Sequence, residues 1–506
     1  MARRRRDRGP RERPAADSSR YRRLENPYRP LEVLSEDQVA HLHERAVAYL
    51  ADEGIRVLLP EARRIYEGGG AVVDDETQMV RLDPGSVTQA LADAPERFEL
   101  GAPNPDRSVP VGGNSVALVP VGGPPFLSGL EGRRAGAMAD QENFLRLMQT
   151  YDVLAVTSPA VEPDDIPINT RHLASGRATL TLTDKAPFVY ARGRARCRDS
   201  IDLIKLRYGI ETDAEFAEAP RCWTNINTNS PRQIDVPMAM AIIDFARWRQ
   251  PCIMTPFTLA GAMAPVTLAG ALVLQHMEAL AAITLAQLTQ PGAPVMYGAF
   301  TSNVDMKSGS PAFGTPEAIK GALASGQLAR HIGVPWRSSG SSASTSVDAQ
   351  AGYETMMNTF GALLGGANWI QHAAGWQEGG LAASYEKLIV DVEMCQMIAE
   401  SLRPLAFGDA ELALDAITEV GPGGHFFGTA HTLERFETAF YQPLVFSRAT
   451  YEQWTEEGSR RTDQRAEDVW RQALADYEQP PLDDAIADAL DDFVERRVAE
   501  GGAAPD

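Results

Sequence analysis

Five short stretches concentrate hydrogen-bonding and aromatic side chains directly after apolar runs. They are Asn225-Ile226-Asn227-Thr228-Asn229-Ser230-Pro231, Thr255 to Gly261, Tyr297 to Asp305, Trp336 to Gly340 and His372 to Gly380. Amides and hydroxyls supply donors and acceptors, and small residues leave room. Phe257, Tyr297, Trp336 and Trp376 supply large rings, joined about two helical turns later by Tyr385. An aromatic face attracts cations and suits a quaternary ammonium group, which has no N–H to donate. Each ring taken alone is equally explained by core packing. Of the eight histidines, His372 draws attention because it ends the apolar run Asn368-Trp369-Ile370-Gln371 and opens a loop of small residues. It is either a satisfied core histidine or a polar contact to substrate. His425, after Gly421-Pro422-Gly423-Gly424, ranks second. No HExxH helix and no G-x-S-x-G elbow occurs, so hydrolytic chemistry has little support.

The elements that must carry these loops read as an alternation. Short β-type runs fall near 153–157, 187–190, 222–226, 252–256, 295–299, 334–337 and 368–372. Helix-type segments at 171–183, 197–208, 234–248, 267–289, 316–331, 348–364 and 378–402 separate them. Strands alternating with amphipathic helices imply parallel βαβ units. Seven evenly spaced units predict an α/β fold of the (β/α)8, TIM-type class, whose reactive groups gather at the carboxyl ends of the strands. The eighth strand is sought near 411–420 or in the N-terminal segment. A doubly wound sheet is the alternative, but no glycine-rich nucleotide loop follows the first run and no Walker loop is present.

Four regions follow: a basic leader at 1–29, a small α+β extension at 30–136, the barrel at 137–428 and a helical C-terminal extension at 429–506. The extension opens with a helix after Ser35, which forms a capping box with Gln38, and Val39, Leu42, Ala46 and Leu50 recur at helical spacing. The leader holds eleven Arg and four acidic residues, seven of the Arg between Arg3 and Arg13, and reads as solvated and disordered. The acidic helix carrying Leu482, Ile486, Leu490 and Phe493 reads as having a solvated charged face. The whole chain of 506 residues has a net charge of −20, which argues against a nucleic-acid-binding body. No run of about 18 uncharged apolar residues predicts a membrane span. Cys197, Cys222, Cys252 and Cys395 show no CxxC spacing, as expected of reduced thiols in a cytoplasmic protein. His41 and His43 lie two apart in an apparent helix and point different ways, which fits a surface better than a metal site.

The longest loop sequences resemble the trimethylamine methyltransferase family, whose members feed methyl groups to corrinoid proteins. The resemblance covers roughly residues 30–475. Its most specific stretches are 257–265 (FTLAGAMAP), 301–309 (TSNVDMKSG), 366–380 (GANWIQHAAGWQEGG), 384–387 (SYEK) and 421–425 (GPGGH). It implies a (β/α)8 barrel, in agreement with the alternation. The archetypal trimethylamine enzyme carries pyrrolysine at the barrel mouth. Here the corresponding region, 337–346, reads RSSGSSASTS in ordinary residues. The resemblance therefore points to the pyrrolysine-free members, which include glycine betaine methyltransferases, and to a quaternary amine as substrate.

That chemistry asks little of acids and bases. A methyl group leaving a quaternary nitrogen leaves a neutral amine behind, so no departing anion has to be protonated. The resemblance implies Co(I) of a corrinoid, carried by a partner protein, as acceptor, and no tightly bound metal in this chain. The expected partners are thus a quaternary amine, a corrinoid protein and further copies of the chain, with neither nucleic acid nor membrane. Positioning and exclusion of water remain as the enzyme's tasks. On this reading Phe257, Tyr297, Trp376 and Tyr385 hold the cation. Arg337 and His372 donate to a betaine carboxylate. Asp305 and Glu378 either add negative charge near the cation or cap the helices that follow. Asn227 and Asn229 line the opposite wall. The expected catalytic set is His372, Asp305 and Glu378. Two rival readings are a barrel that binds betaines without transferring a methyl group, and an aldolase or lyase, for which Lys185 and Lys307 are poorly placed as Schiff-base formers.

Overall fold

The computed structural model describes residues 18–505. Ser35 caps the first long helix, Glu36–Asp52, as its sequence predicts: its hydroxyl accepts from Gln38 N–H and its own N–H donates to Gln38 Oε1. Val39, Leu42, Ala46 and Leu50 form that helix's buried face.

The centre is mixed α/β. A seven-stranded sheet runs in the order Leu24–Glu25, Ser115–Pro120, Trp369–Ala374, Trp336–Ser339, Val295–Gly298, Cys252–Pro256, Thr224–Thr228. Every pairing is parallel except that of the two-residue edge strand. Backbone bonds continue past both ends of the parallel set. Ala155 N–H donates to Leu118 O, Thr157 N–H to Ala186 O and Val189 N–H to Trp223 O, with a parallel bridge between Phe188 and Trp223. The runs read near 153–157 and 187–190 therefore lie between Ser115–Pro120 and Thr224–Thr228. The strand sought near 411–420 is absent: that stretch is helical, at Asp409–Leu412 and Leu414–Val420. Ser115–Pro120, from the segment read as an extension, occupies a place in the sheet instead.

The helices fall close to their expected places, among them Arg171–Leu182, Arg194–Tyr208, Val236–Arg247, Pro316–His331, Ala349–Leu364 and Tyr385–Ser401. Alternation along each strand assigns its two faces. Tyr297 and Trp336 are register partners on the helix-covered face; Gly298, Arg337 and Trp369 are partners on the other. That second face builds its own core from Ile253, Met296, Trp369, Trp223, Ala117 and Val119.

Leu268–Thr289 meets the length and hydropathy of a membrane-crossing helix, which the sequence reading did not anticipate. It is buried by protein, and its Gln275, His276 and Glu278 all make internal hydrogen bonds.

Residues 18–29 of the basic leader are anchored rather than free. Arg22 pairs with Asp152 at 3.1 Å, Tyr21 donates to Glu400, and Leu24 pairs with Val116. The Arg3–Arg13 cluster lies outside the described residues. At the other end, Thr462–Ala475 lies on Tyr385–Ser401 through Trp470, and Asp484–Ala499 lies on Arg171–Leu182 and Arg194–Tyr208. There Asp491 of the acidic helix pairs with Arg177, so its charged face is not wholly solvated.

Candidate active site

At the carboxyl ends of the parallel strands lies a cavity of about 610 Å³. Phe257, Arg337, His372, Trp376, Asn227 and Asn229 line it, as the loop positions predict. Four other expected residues stand elsewhere. Tyr297 faces the helices: its hydroxyl accepts from Gln275 at 3.0 Å and meets His276 Nδ1 at 3.0 Å. Tyr385 is sandwiched between Phe144 and Trp470 and donates to Asp140. Asp305 is exposed and ties up its own turn by accepting from Ser308. Glu378 pairs with Arg133 at 2.9 Å.

Arg337 is the most unusual group. Its side chain is 2% exposed. Nε donates to Gln371 Oε1 at 3.0 Å, a guanidinium nitrogen approaches Ala299 O at 3.4 Å, and the head lies 5.5 Å from the Phe300 ring centre. Among the described residues no carboxylate pairs with it. Burial pushes its pKa down to about 9, against the usual arginine value above 12.

His372 sits beside it by virtue of a backbone exception. Strand alternation would turn it toward the helices, like Ile370. Its φ is instead +58°, in the left-handed region, and the register of Trp369–Ala374 shifts between Ile370 and Ala374. A non-glycine residue held there carries strain of about 1 kcal/mol or more, a feature that gathers at functional sites. The result is a ring tilted by 36° against Trp376, with centroids 3.7 Å apart and Nδ1 2.9 Å from Ser339 Oγ. Burial, and then the charge of Arg337, hold the imidazole well below its ordinary pKa, so it is neutral. Its Nε2 has no partner among the described residues.

The loop carrying Trp376 is fixed from two sides. Trp376–Gln377 pairs with Ala382–Ala383, which pairs with Phe126–Gly129. Beneath it, the buried Asp391 accepts from Gly375 N–H at 2.9 Å while paired with Lys387.

Aromatic side chains the sequence reading passed over complete the wall: Phe188, Tyr190 and Phe300. Phe257 and Phe300 are 5.0 Å apart, and Phe300 meets His372 edge-on at 6.0 Å. The opposite side is polar. Asn225 and Asn227 alternate inward from Thr224–Thr228, with Thr255 donating to Asn225 and Asn227 donating to Thr255 O. Asp235 supplies the one carboxylate in the lining; it accepts from Asn229 and caps the helix Val236–Arg247. Arg192 and Met263 stand exposed at the rim. Gln371 was the most readable omission, because a glutamine inside an apolar strand marks a face that is not simply core. His425 is exposed beside Phe427 and takes no part in the cavity.

An apolar, ring-lined cavity with a few converging polar groups is the form taken by sites for small molecules. Within its lining, the Arg337 guanidinium has no carboxylate partner among the described residues. Comparison with known proteins gives the class a name. The family model for trimethylamine methyltransferase (MTTB) matches residues 1–502. The chain is 37% identical over 473 residues to a glycine betaine methyltransferase of Desulfitobacterium hafniense, covering 93% of this chain and 98% of that protein. It is 31% identical to a trimethylamine methyltransferase of the same species, over 93% and 95% of the two chains. The crystal structure of the Methanosarcina barkeri monomethylamine methyltransferase is similar at 11% identity and a TM-score of 0.47, over 89% and 90% of the chains. The chain belongs to the trimethylamine methyltransferase family and is a methyltransferase.

Proposed function

We propose that this enzyme takes one methyl group from a quaternary ammonium carboxylate, glycine betaine or a near relative. Arg337 carries the reading. A guanidinium kept from water without a counter-charge is costly, and a substrate carboxylate relieves that cost. Trimethylamine has no carboxylate to offer. His372, neutral and with Nε2 unpartnered, stands beside Arg337 as a second contact. Phe257, Phe300, Trp376, Phe188 and Tyr190 form the box for the permanently charged nitrogen, with Asp235 as the carboxylate on the far side. When the C–N bond breaks, its electron pair stays on nitrogen and the product is a neutral tertiary amine. The chain's work is to bind the zwitterion, orient one N-methyl outward and keep water from the reacting centre.

The acceptor in this reading is Co(I) of a corrinoid on a partner protein, which supplies the nucleophile. Arg192 and Met263, exposed at the rim, would face the partner. We also read the parallel set as closing into a (β/α)8 barrel. The backbone bonds through 155–157 and 186–189 support this by linking Ser115–Pro120 to Thr224–Thr228.

The test is incubation with reduced cobalamin and either glycine betaine or trimethylamine, with mass spectrometry of the amine product. Dimethylglycine is the expected product, with no dimethylamine from the second substrate. Demethylation of trimethylamine alone would refute the carboxylate reading. Betaine binding without dimethylglycine would favour the rival, a barrel that only binds.

A further inference from the structure

A second buried charge lies close behind the cavity wall, and it is negative. Glu278 belongs to the apolar helix Leu268–Thr289 and is 0% exposed. Its carboxylate accepts from the Thr228 hydroxyl, from the Ser230 hydroxyl at 2.7 Å and from Arg232 N–H at 2.7 Å. These donors lie at the carboxyl end of Thr224–Thr228 or just beyond it. Thr228 and Ser230 both line the cavity, with Asn229 between them. One layer of side chains therefore separates the carboxylate from the space a ligand would fill.

Among the described residues no cation pairs with this carboxylate. The Arg232 guanidinium turns instead to the carbonyls of Gly54 and Glu53 and to the Tyr49 hydroxyl. His276, two residues earlier in the helix, is held neutral by burial. Burial pushes the Glu278 carboxyl above its ordinary pKa, while its three hydrogen bonds favour the charged form. An unpaired buried acid is costly for the same reason that Arg337 is. The two stand well apart, since Thr224–Thr228 is three strands along the sheet from Trp336–Ser339. The carboxylate in the lining itself, Asp235, is only half-buried and already accepts from Asn229 and from Met238 N–H. Water screens it more than it screens a group sealed in protein.

We propose that Glu278 orients the substrate: it is the counter-charge for the quaternary ammonium group, acting through the thin wall of Thr228 and Ser230. With Arg337 it lays the zwitterion across the cavity in a single direction. The inference rests on the quaternary ammonium carboxylate reading above. It also explains why two unlike charges are buried on one cavity without meeting: joined to each other, neither would be left for a ligand. Glu278 is a positioning residue, because it reaches the ligand only through that wall.

Calorimetric titration with two ligands tests this. One is glycine betaine. The other is its carbon isostere, the anion of tert-butylacetic acid, which keeps the shape and the carboxylate but lacks the positive charge. The parent enzyme should bind betaine more tightly than the isostere. Glu278→Gln keeps the size and one carbonyl acceptor. It should weaken betaine by about tenfold, the order expected of unit charges one side-chain layer apart. Binding of the isostere should stay unchanged or become slightly tighter, a pattern that a mere loop anchor would not give. Arg337→Met, by contrast, should weaken both ligands. Equal weakening of both by Glu278→Gln overturns the proposal, and so does no weakening of either. Where that variant misfolds, the parent enzyme still decides: an isostere bound as tightly as betaine overturns the proposal. A parent enzyme that binds neither ligand removes the substrate reading itself, and this inference with it.

Discussion

Tyr297 and Arg337 stand near the ends of neighbouring parallel strands, one register step apart, and their fates are opposite. Tyr297 is paired with Trp336 on the face covered by helices, its hydroxyl consumed by Gln275 and His276. Arg337 is paired with Gly298 on the other face and looks into the cavity. A one-residue step in a strand exchanges core for site. Gly298 shows how crowded the inner face is: a Cβ there would come within 2.6 Å of the Met254 carbonyl and nearer still to Thr255. Both side chains are large, buried and polar-tipped, yet only Arg337 carries a charge, and no carboxylate among the described residues matches it.

The sharpest way to break this comparison is to remove the unmatched charge. Arg337→Met should reduce betaine affinity by about 2–5 kcal/mol, roughly thirtyfold to several thousandfold, as expected for one partner of a buried charge pair. The unliganded protein should be no less stable, because an uncompensated buried charge is replaced by an apolar chain of similar length. Calorimetric titration and thermal melting read the two halves separately. A stability loss without an affinity loss would make Arg337 a structural residue like Tyr297.

A pH titration of affinity probes the same charge without mutation. Below its pKa, pushed down to about 9, Arg337 is cationic and attracts the carboxylate. As pH rises through that value the cation is lost, and affinity should fall by about tenfold per unit above it. His372, already neutral because its pKa is lowered well below 6.5, contributes no change between pH 7 and 9. A flat profile to pH 10 would mean that the guanidinium stays charged or does not touch the ligand.

Trp376→Ala should weaken binding of the ammonium head by about 1–2 kcal/mol, the value of a desolvated cation–π contact. The matched change on the sealed side is Tyr385→Phe, which removes a hydroxyl donated to Asp140 and should leave affinity alone. Equal effects on betaine binding would erase the distinction between cavity rings and core rings.

What the sequence made legible follows the same division. The alternation of elements was readable because strand and helix periods differ, and the loops at strand ends located the cavity. Strand parity was not readable, since the limits of a run such as 295–299 are uncertain by a residue, enough to turn Tyr297 either way. His372 reaches the cavity only through a left-handed backbone that no local pattern announces. Tyr190 ends, and Arg192 follows, a run whose loop carries no cluster of amides or glycines. The stretch 411–420 failed for a different reason: Leu412, Leu414 and Ile417 look like core residues, but nothing within the described chain covers them.

The smallest effect is expected at Tyr297, and it calibrates the others. Tyr297→Phe keeps the ring in its packed place and removes only the hydroxyl shared with Gln275 and His276. Gln275 also reaches Ser325 and Thr301, so its amide is not orphaned by the change. His276 loses its Nδ1 contact and keeps the one to His43. The cost should therefore be about 1 kcal/mol of stability, near the net value of one buried hydrogen bond. Betaine affinity and its pH profile should remain those of the parent enzyme. A shift of either would show that the helix-covered face communicates with the cavity through the strand, and parity alone would no longer explain why Arg337 and Tyr297 differ.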